Sequence, residues 1–226
     1  MVIQEKTEKE ESKMNIFNLE GGLMKALSKF TDCIYLSVLF LISCVPVFTI
    51  GTAATALYYT AHKVLRLDRG YIFREYITAF KDNFKQTVPV WLLTMLLGTI
   101  LGIDWYVLGA YVQNEDVLGA LMAAILVGMI VLFAWVSYLF PFMARFENTR
   151  RQSMKNAILL VAAHLPMTIV MLVLVAMIAV LIYMIPLLLG LLPAVYAWIQ
   201  SYILERIFRK YMTEEDRARE EENNYN

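Results

Sequence analysis

The chain has 226 residues, 59% of them hydrophobic, with 20 Lys and Arg balanced by 20 Asp and Glu. A mean hydropathy of +0.57 exceeds what a soluble domain of this size can bury, so the composition points to an all-α integral membrane protein. With zero net charge and no basic stripe, a nucleic-acid partner is excluded.

Taken from the start, residues 1–13 mix Lys and Glu with no apolar run or small-residue cleavage site, so a charged, disordered tail is expected and not a signal peptide. Residues 14–212 are expected to form one transmembrane helical domain, and 213–226 a second charged, disordered tail. Residues 15–30 (NIFNLEGGLMKALSKF) read as an interfacial helix, with Leu23, Leu27 and Phe30 on one face and Lys25 and Lys29 off it. Helix one then follows from about Thr31. Its two cysteines, Cys33 and Cys44, sit about 16 Å apart along a helix, beyond disulfide reach.

A helix needs about 20 mainly apolar residues to cross a bilayer, and the runs 88–112, 117–143, 166–185 and 186–204 qualify. Residues 33–67 are too long for one span and short for two, and they contain Pro46 and Gly51. One bent helix there gives five spans; a tight turn around residues 46–49 gives six. The distribution of positive charge favours six, because every Lys and Arg (residues 6–29, 63–85, 145–155 and 206–219) then falls on one side, with both termini cytoplasmic. The second helix, 48–65, spans or re-enters; in either case Lys63 and Arg66 must snorkel. Pro46 interrupts the preceding helix and Thr49 is the expected N-cap.

Rows of small residues mark the expected helix contacts: Thr52, Ala56 and Thr60; Thr94, Gly98 and Gly102; Ala120, Ala124 and Gly128. Counted from the acidic loop at 113–116, Gly102 and Ala124 lie at similar depth and are expected to face each other. Residues 71–86 read as a second interfacial segment, with Tyr76, Phe80, Lys81, Phe84 and Lys85 as candidate partner-docking residues. Residues 80–87 are echoed at 146–153, each just before an outward span, which suggests three hairpins, each introduced by an amphipathic segment.

No protease, nucleotide-binding or metal-ligand motif of the usual spacing occurs, and the two histidines, His62 and His164, lie far apart. No catalytic residue, metal or cofactor is expected, and the chain is read as a non-enzyme. Two candidate binding features stand beside plainer readings. Backbone NH groups at Ile50, Gly51 and Thr52, after Thr49, suit an anionic or hydroxyl-rich group, or simply belong to a reversing turn. Asp104 is an intramembrane carboxylate, or an interfacial residue beside Trp105 and Tyr106. His164-Leu165-Pro166 reads as a kink or helix start with a snorkelling His, and Gln200 and Glu205 as interhelical hydrogen bonding and snorkelling.

The stretch PVFTIGTAATALYY (46–59), preceded by Asn18-Leu19-Glu20-Gly21-Gly22-Leu23 and followed by Phe80-Lys81-Asp82-Asn83-Phe84-Lys85-Gln86, resembles the YesL-like family of bacterial membrane proteins. The resemblance implies a plasma-membrane protein, mostly Gram-positive, often encoded near carbohydrate-uptake and polysaccharide-degradation genes. It carries no catalytic residues over. The expectation is a non-enzymatic accessory or regulatory partner of a carbohydrate uptake system, such as ABC-type importer subunits. The alternative is a small permease for a neutral solute such as a sugar, and a general lipid-interacting role stands beside both.

Overall fold

The computed structural model describes residues 24–111, 116–212 and 214. They form helix α1 (Met24–Cys44), a 3-10 turn at Val47–Thr49, α2 (Ile50–Thr60) prolonged by a π-helical Ala61–Arg66, α3 (Ile72–Tyr111), α4 (Asp116–Arg145), α5 (Arg150–Ala163), α6 (Leu165–Met184), a 3-10 turn at Pro186–Gly190 and α7 (Leu192–Tyr211). Four of these, α1, α3, α4 and α6, are long and apolar enough to cross a membrane, so the chain is a multi-pass, all-α membrane protein. The burial pattern fits a lipid solvent. Leu96, Ile100, Val127 and Val173 face outward, while Thr52, Thr55, Thr60, Ser201 and Glu205 have no exposed surface. Lipid tails are as apolar as leucine, so small and polar residues gather between helices instead.

Helix α2 is the centre of the bundle. It runs back along α1, whose Lys29 Nζ donates to Leu65 O at 3.0 Å, and α3 then returns along α2, with Thr52 and Thr87 hydroxyls 2.7 Å apart. The turn joining α2 to α3 places Asp68 at φ 53° and Gly70 at φ 78°. A side chain at Gly70 would be strained there and would meet Glu75 at 2.7 Å. Helix α7 passes α1 in the opposite direction, with Ser37 Oγ donating to Leu191 O and accepting from the Ala194 NH. It then crosses α2 near Arg66 and His62. Helix α5 lies across the basic end of the bundle, from Lys85 on α3 to Tyr211 on α7, whose ring is 5.8 Å from that of His164.

The chain departs from the expected path in three places. First, α1 already includes residues 24–30, so these do not belong to a separate interfacial helix; residues 15–23 lie outside the described residues. The Thr31 hydroxyl bonds Leu27 O one turn back, the geometry of a helix interior, and neither Gly nor Pro interrupts the run. Second, residues 72–86 are the first half of α3, a single helix of 40 residues and about 60 Å. Pro89 has no NH to offer the Lys85 carbonyl, and Arg150 Nη2 takes it at 2.9 Å, which satisfies the helix at its apparent break.

Third, Gly102 and Ala124 do not meet. A Cβ at Gly102 would touch nothing within 4 Å, whereas Gly98 faces Leu132, Gly128 faces Leu101 and Gly109 faces Met122. The true pairing is offset by about one helical turn, and leucine side chains fill the glycine gaps. Ala120 and Ala124 are exposed, and the contact stripe on α4 runs through Leu118, Met122, Ile125 and Gly128. Beyond Trp91, which is tied to the α1–α2 turn by its Nε1 donating to Val47 O at 2.8 Å, α3 and α4 continue as a hairpin for about 30 Å.

Candidate functional site: a buried ion cluster at the basic end

Where α2, α4 and α7 converge, four ionisable groups meet, three of them buried and Arg145 partly exposed. Glu205 on α7 has no exposed surface. Arg145, the last residue of α4, approaches it with Nε 2.9 Å from Oε1 and Nη2 donating to Oε2 at 3.2 Å. This two-point approach is the strong, geometrically specific form of a carboxylate–guanidinium contact. From α2, Tyr58 OH donates to Oε1 at 3.4 Å and His62 Nε2 lies 3.5 Å from the same oxygen. Arg66 completes the seam: its Nη1 donates to Ser201 O at 2.6 Å and its guanidinium lies 4.6 Å from the centre of the Tyr202 ring. His62 and Arg66 stand at positions i and i+4 of the π-helical stretch, and the widened turns present both to α7.

A second polar site lies one turn away. Pro141 inside α4 leaves the Ser137 carbonyl without its helix donor, and Gln200 Nε2 supplies it from α7 at 2.8 Å. The expected interhelical role of Gln200 is thus present, while Glu205 is enclosed and does not snorkel. Both internal prolines free a carbonyl that a side chain from another helix captures, Arg150 in one case and Gln200 in the other. Such pairs fix which helices can be neighbours.

The start of α2 is filled by protein. Thr49 is buried and occupies the N-cap position, but its side chain caps no backbone NH; the hydroxyl donates instead to the Ser43 and Pro46 carbonyls, each at 2.6 Å. A Cβ at Gly51 would lie 2.7 Å from Trp91 Cβ and from Phe140 Cε1, so the glycine permits a close helix crossing. Ile50 is half-buried. Asp104 is exposed and lies on α3 thirteen residues, about 20 Å, beyond Trp91; the structure does not bring it to Thr49, Ile50 and Gly51.

Among the docking residues, Tyr76 has no exposed surface and packs in the core with Ala61, Leu65 and Ile72. Its ring is unavailable to a partner. Phe80 stacks on it at 6.3 Å and Phe84 follows at 5.8 Å, both half-buried, while Lys81 and Lys85 are exposed. The two echoing segments face each other, with Gln86 Nε2 donating to Asn148 O at 2.6 Å. His164 breaks the chain between α5 and α6, as its neighbouring proline suggested.

Sequence reasoning missed the convergence of Tyr58, His62 and Arg145 on Glu205. The available signal was an acidic residue in α7 with basic residues at the ends of two other apolar helices. Among the described residues no group of three or more His, Cys, Asp and Glu is placed to hold a metal ion.

Fold and site together define a multi-pass helical membrane protein with an ion cluster enclosed at one end. Residues 33–105, from α1 to the far half of α3, match the family described as "Protein of unknown function, DUF624". No curated protein and no solved structure matches the chain.

Proposed function

We propose that this chain is a non-enzymatic accessory protein of the YesL-like type in the bacterial plasma membrane, one that binds transmembrane subunits of a carbohydrate importer. The observation that carries this reading is the α3–α4 hairpin. Across residues 92–110 and 118–132 only Thr94 is buried, and the outer faces carry Leu96, Ile100, Ile103, Val127 and Ile130. A hairpin that the rest of its own bundle leaves uncovered is suited to packing against helices of another membrane protein. Lys81 and Lys85, exposed on the basic half of α3, add a charged contact outside the bilayer.

A sugar permease finds less support. A cavity between α2, α4, α6 and α7 has a mainly apolar lining, and its most buried polar side chain, Gln200, already spends its amide nitrogen on Ser137. A sugar needs several convergent hydrogen-bonding groups.

In the bilayer, six segments cross with both termini on the basic, cytoplasmic face.

Tagged protein extracted from native membranes in mild detergent is expected to bring down importer subunits in stoichiometric amount, measured against a tag-only control. Replacing Ile100 and Val127 by Lys should remove them while leaving the bundle folded. A solitary protein, or sugar uptake by proteoliposomes holding this chain alone, would overturn the reading.

A further inference from the structure

The inner side of α6 is a regular stripe, Thr168, Met171, Val175, Ile178 and Ile182, at spacings of three and four residues. Its first two members are buried and the last three only half-buried. The helix is therefore held tightly at its basic end, where the Thr168 hydroxyl lies 3.1 Å from Tyr138 OH, and stands away from the bundle further along. The space this leaves is a cavity of about 250 Å³ walled by α1, α2, α4, α6 and α7.

Three properties define what this space takes. Its walls are mainly apolar, with Ala54, Val136 and Ile178 representative, and the polar lining residues Ser137, Tyr196 and Gln200 leave little polar surface on them. Water needs two to four polar partners to settle, and here the Gln200 nitrogen is already used. Its basic end is shut: one turn further along α2, α4 and α7 from the lining residues Ala54, Pro141 and Gln200 stand Tyr58, Arg145 and Leu204, with Glu205 beside them. Its rim includes Phe133, 45% exposed, on the apolar flank that faces lipid. A solute from the basic side has no entry, whereas hydrocarbon from the bilayer does. The volume also exceeds the about 150 Å³ at which an apolar cavity already holds benzene.

We infer that this cleft binds one hydrocarbon tail of a membrane phospholipid, entering sideways between α4 and α6, with the tail and not the headgroup recognised. The site is independent of the accessory role, since none of its lining residues falls within residues 92–110 or 118–132 of the uncovered hairpin. Bound lipid would wedge α6 in its splayed position.

Native mass spectrometry of the full chain, purified in mild detergent and titrated with either phosphatidylcholine or phosphatidylglycerol, tests this. Wild type should carry one retained phospholipid per chain with either headgroup. Ala54→Phe and Val136→Phe, which fill the cleft from two different helices, should each lower that adduct about tenfold, equivalent to roughly 1.4 kcal/mol. Val173→Phe on the lipid-facing side of α6 should leave it unchanged. Two filling variants guard against one that fails to fold, with monodispersity and helical content checked for each. Equal adducts in all variants would overturn the inference. So would retention of phosphatidylglycerol alone, which would mark a headgroup site, or a lipid-free dimer, which would mean that a second copy covers the cleft.

Discussion

Arg145→Met should destabilise the protein more than Glu205→Gln, although both break the same ion pair. The reason is where each partner can go. The Glu205 side chain has no exposed surface, while that of Arg145 is 15% exposed and ends its helix. Without Arg145 the carboxylate stays enclosed and loses its two-point guanidinium contact, and breaking a buried pair from this side costs about 3–5 kcal/mol. Without the carboxylate, Arg145 can turn toward solvent, and the loss falls to about 1–3 kcal/mol. Replacing both, as Arg145→Met with Glu205→Leu, should return stability to within about 1 kcal/mol of wild type, because two apolar groups need no partner. Reversible unfolding in mixed micelles, followed by helical circular dichroism, measures all three variants, and Glu205→Leu alone closes the cycle that gives the coupling between the residues. Equal losses for the two single variants, or a double variant as unstable as the sum of both, would refute the reasoning.

The two glycines of contrasting surroundings should behave oppositely. Gly51→Ala, with Trp91 Cβ and a Phe140 ring atom at 2.7 Å, should lose about 1–3 kcal/mol, whereas Gly102→Ala, with open space around it, should be neutral or gain up to about 1 kcal/mol from helix propensity; thermal unfolding in detergent reads both. Gln200→Leu should cost about 1–3 kcal/mol by leaving the Ser137 carbonyl without a donor, measured by the same unfolding assay. Tyr76→Ala should cost about 3–5 kcal/mol of lost packing in the same assay, while Tyr76→Phe, which keeps the buried ring and its stacking on Phe80, should lose less than about 1.5 kcal/mol.

Membrane class and helix content were legible because they follow from bulk apolarity, and α4 and α6 were legible because apolar runs of span length stand between polar segments. The break at residues 87–88 was misplaced for a physical reason. Charge density drops there, but the backbone has no cause to stop once Arg150 satisfies the carbonyl that Pro89 leaves free. The glycine pairing failed by one turn because depth counted from a loop ignores where each helix ends, and because side chains such as Leu101, not backbone, fill the gap at Gly128. Gln200 was legible as an interhelical donor since an amide among apolar residues must bond something. The ion cluster was not, because it depends on α7 crossing α2 obliquely, and no local pattern in either helix encodes that crossing.

The arrangement of the chain in the bilayer decides which surfaces a membrane partner can reach, and labelling with a membrane-impermeant maleimide tests it most directly. In a background lacking Cys33 and Cys44, single cysteines at Phe48, in the 113–116 loop and at Leu187 are expected to react from outside intact cells. One at Tyr71, 80% exposed and free of the strain that a side chain at Gly70 would add, should react only after permeabilisation. Outside labelling at position 71 would place the basic end on the wrong face and contradict the account.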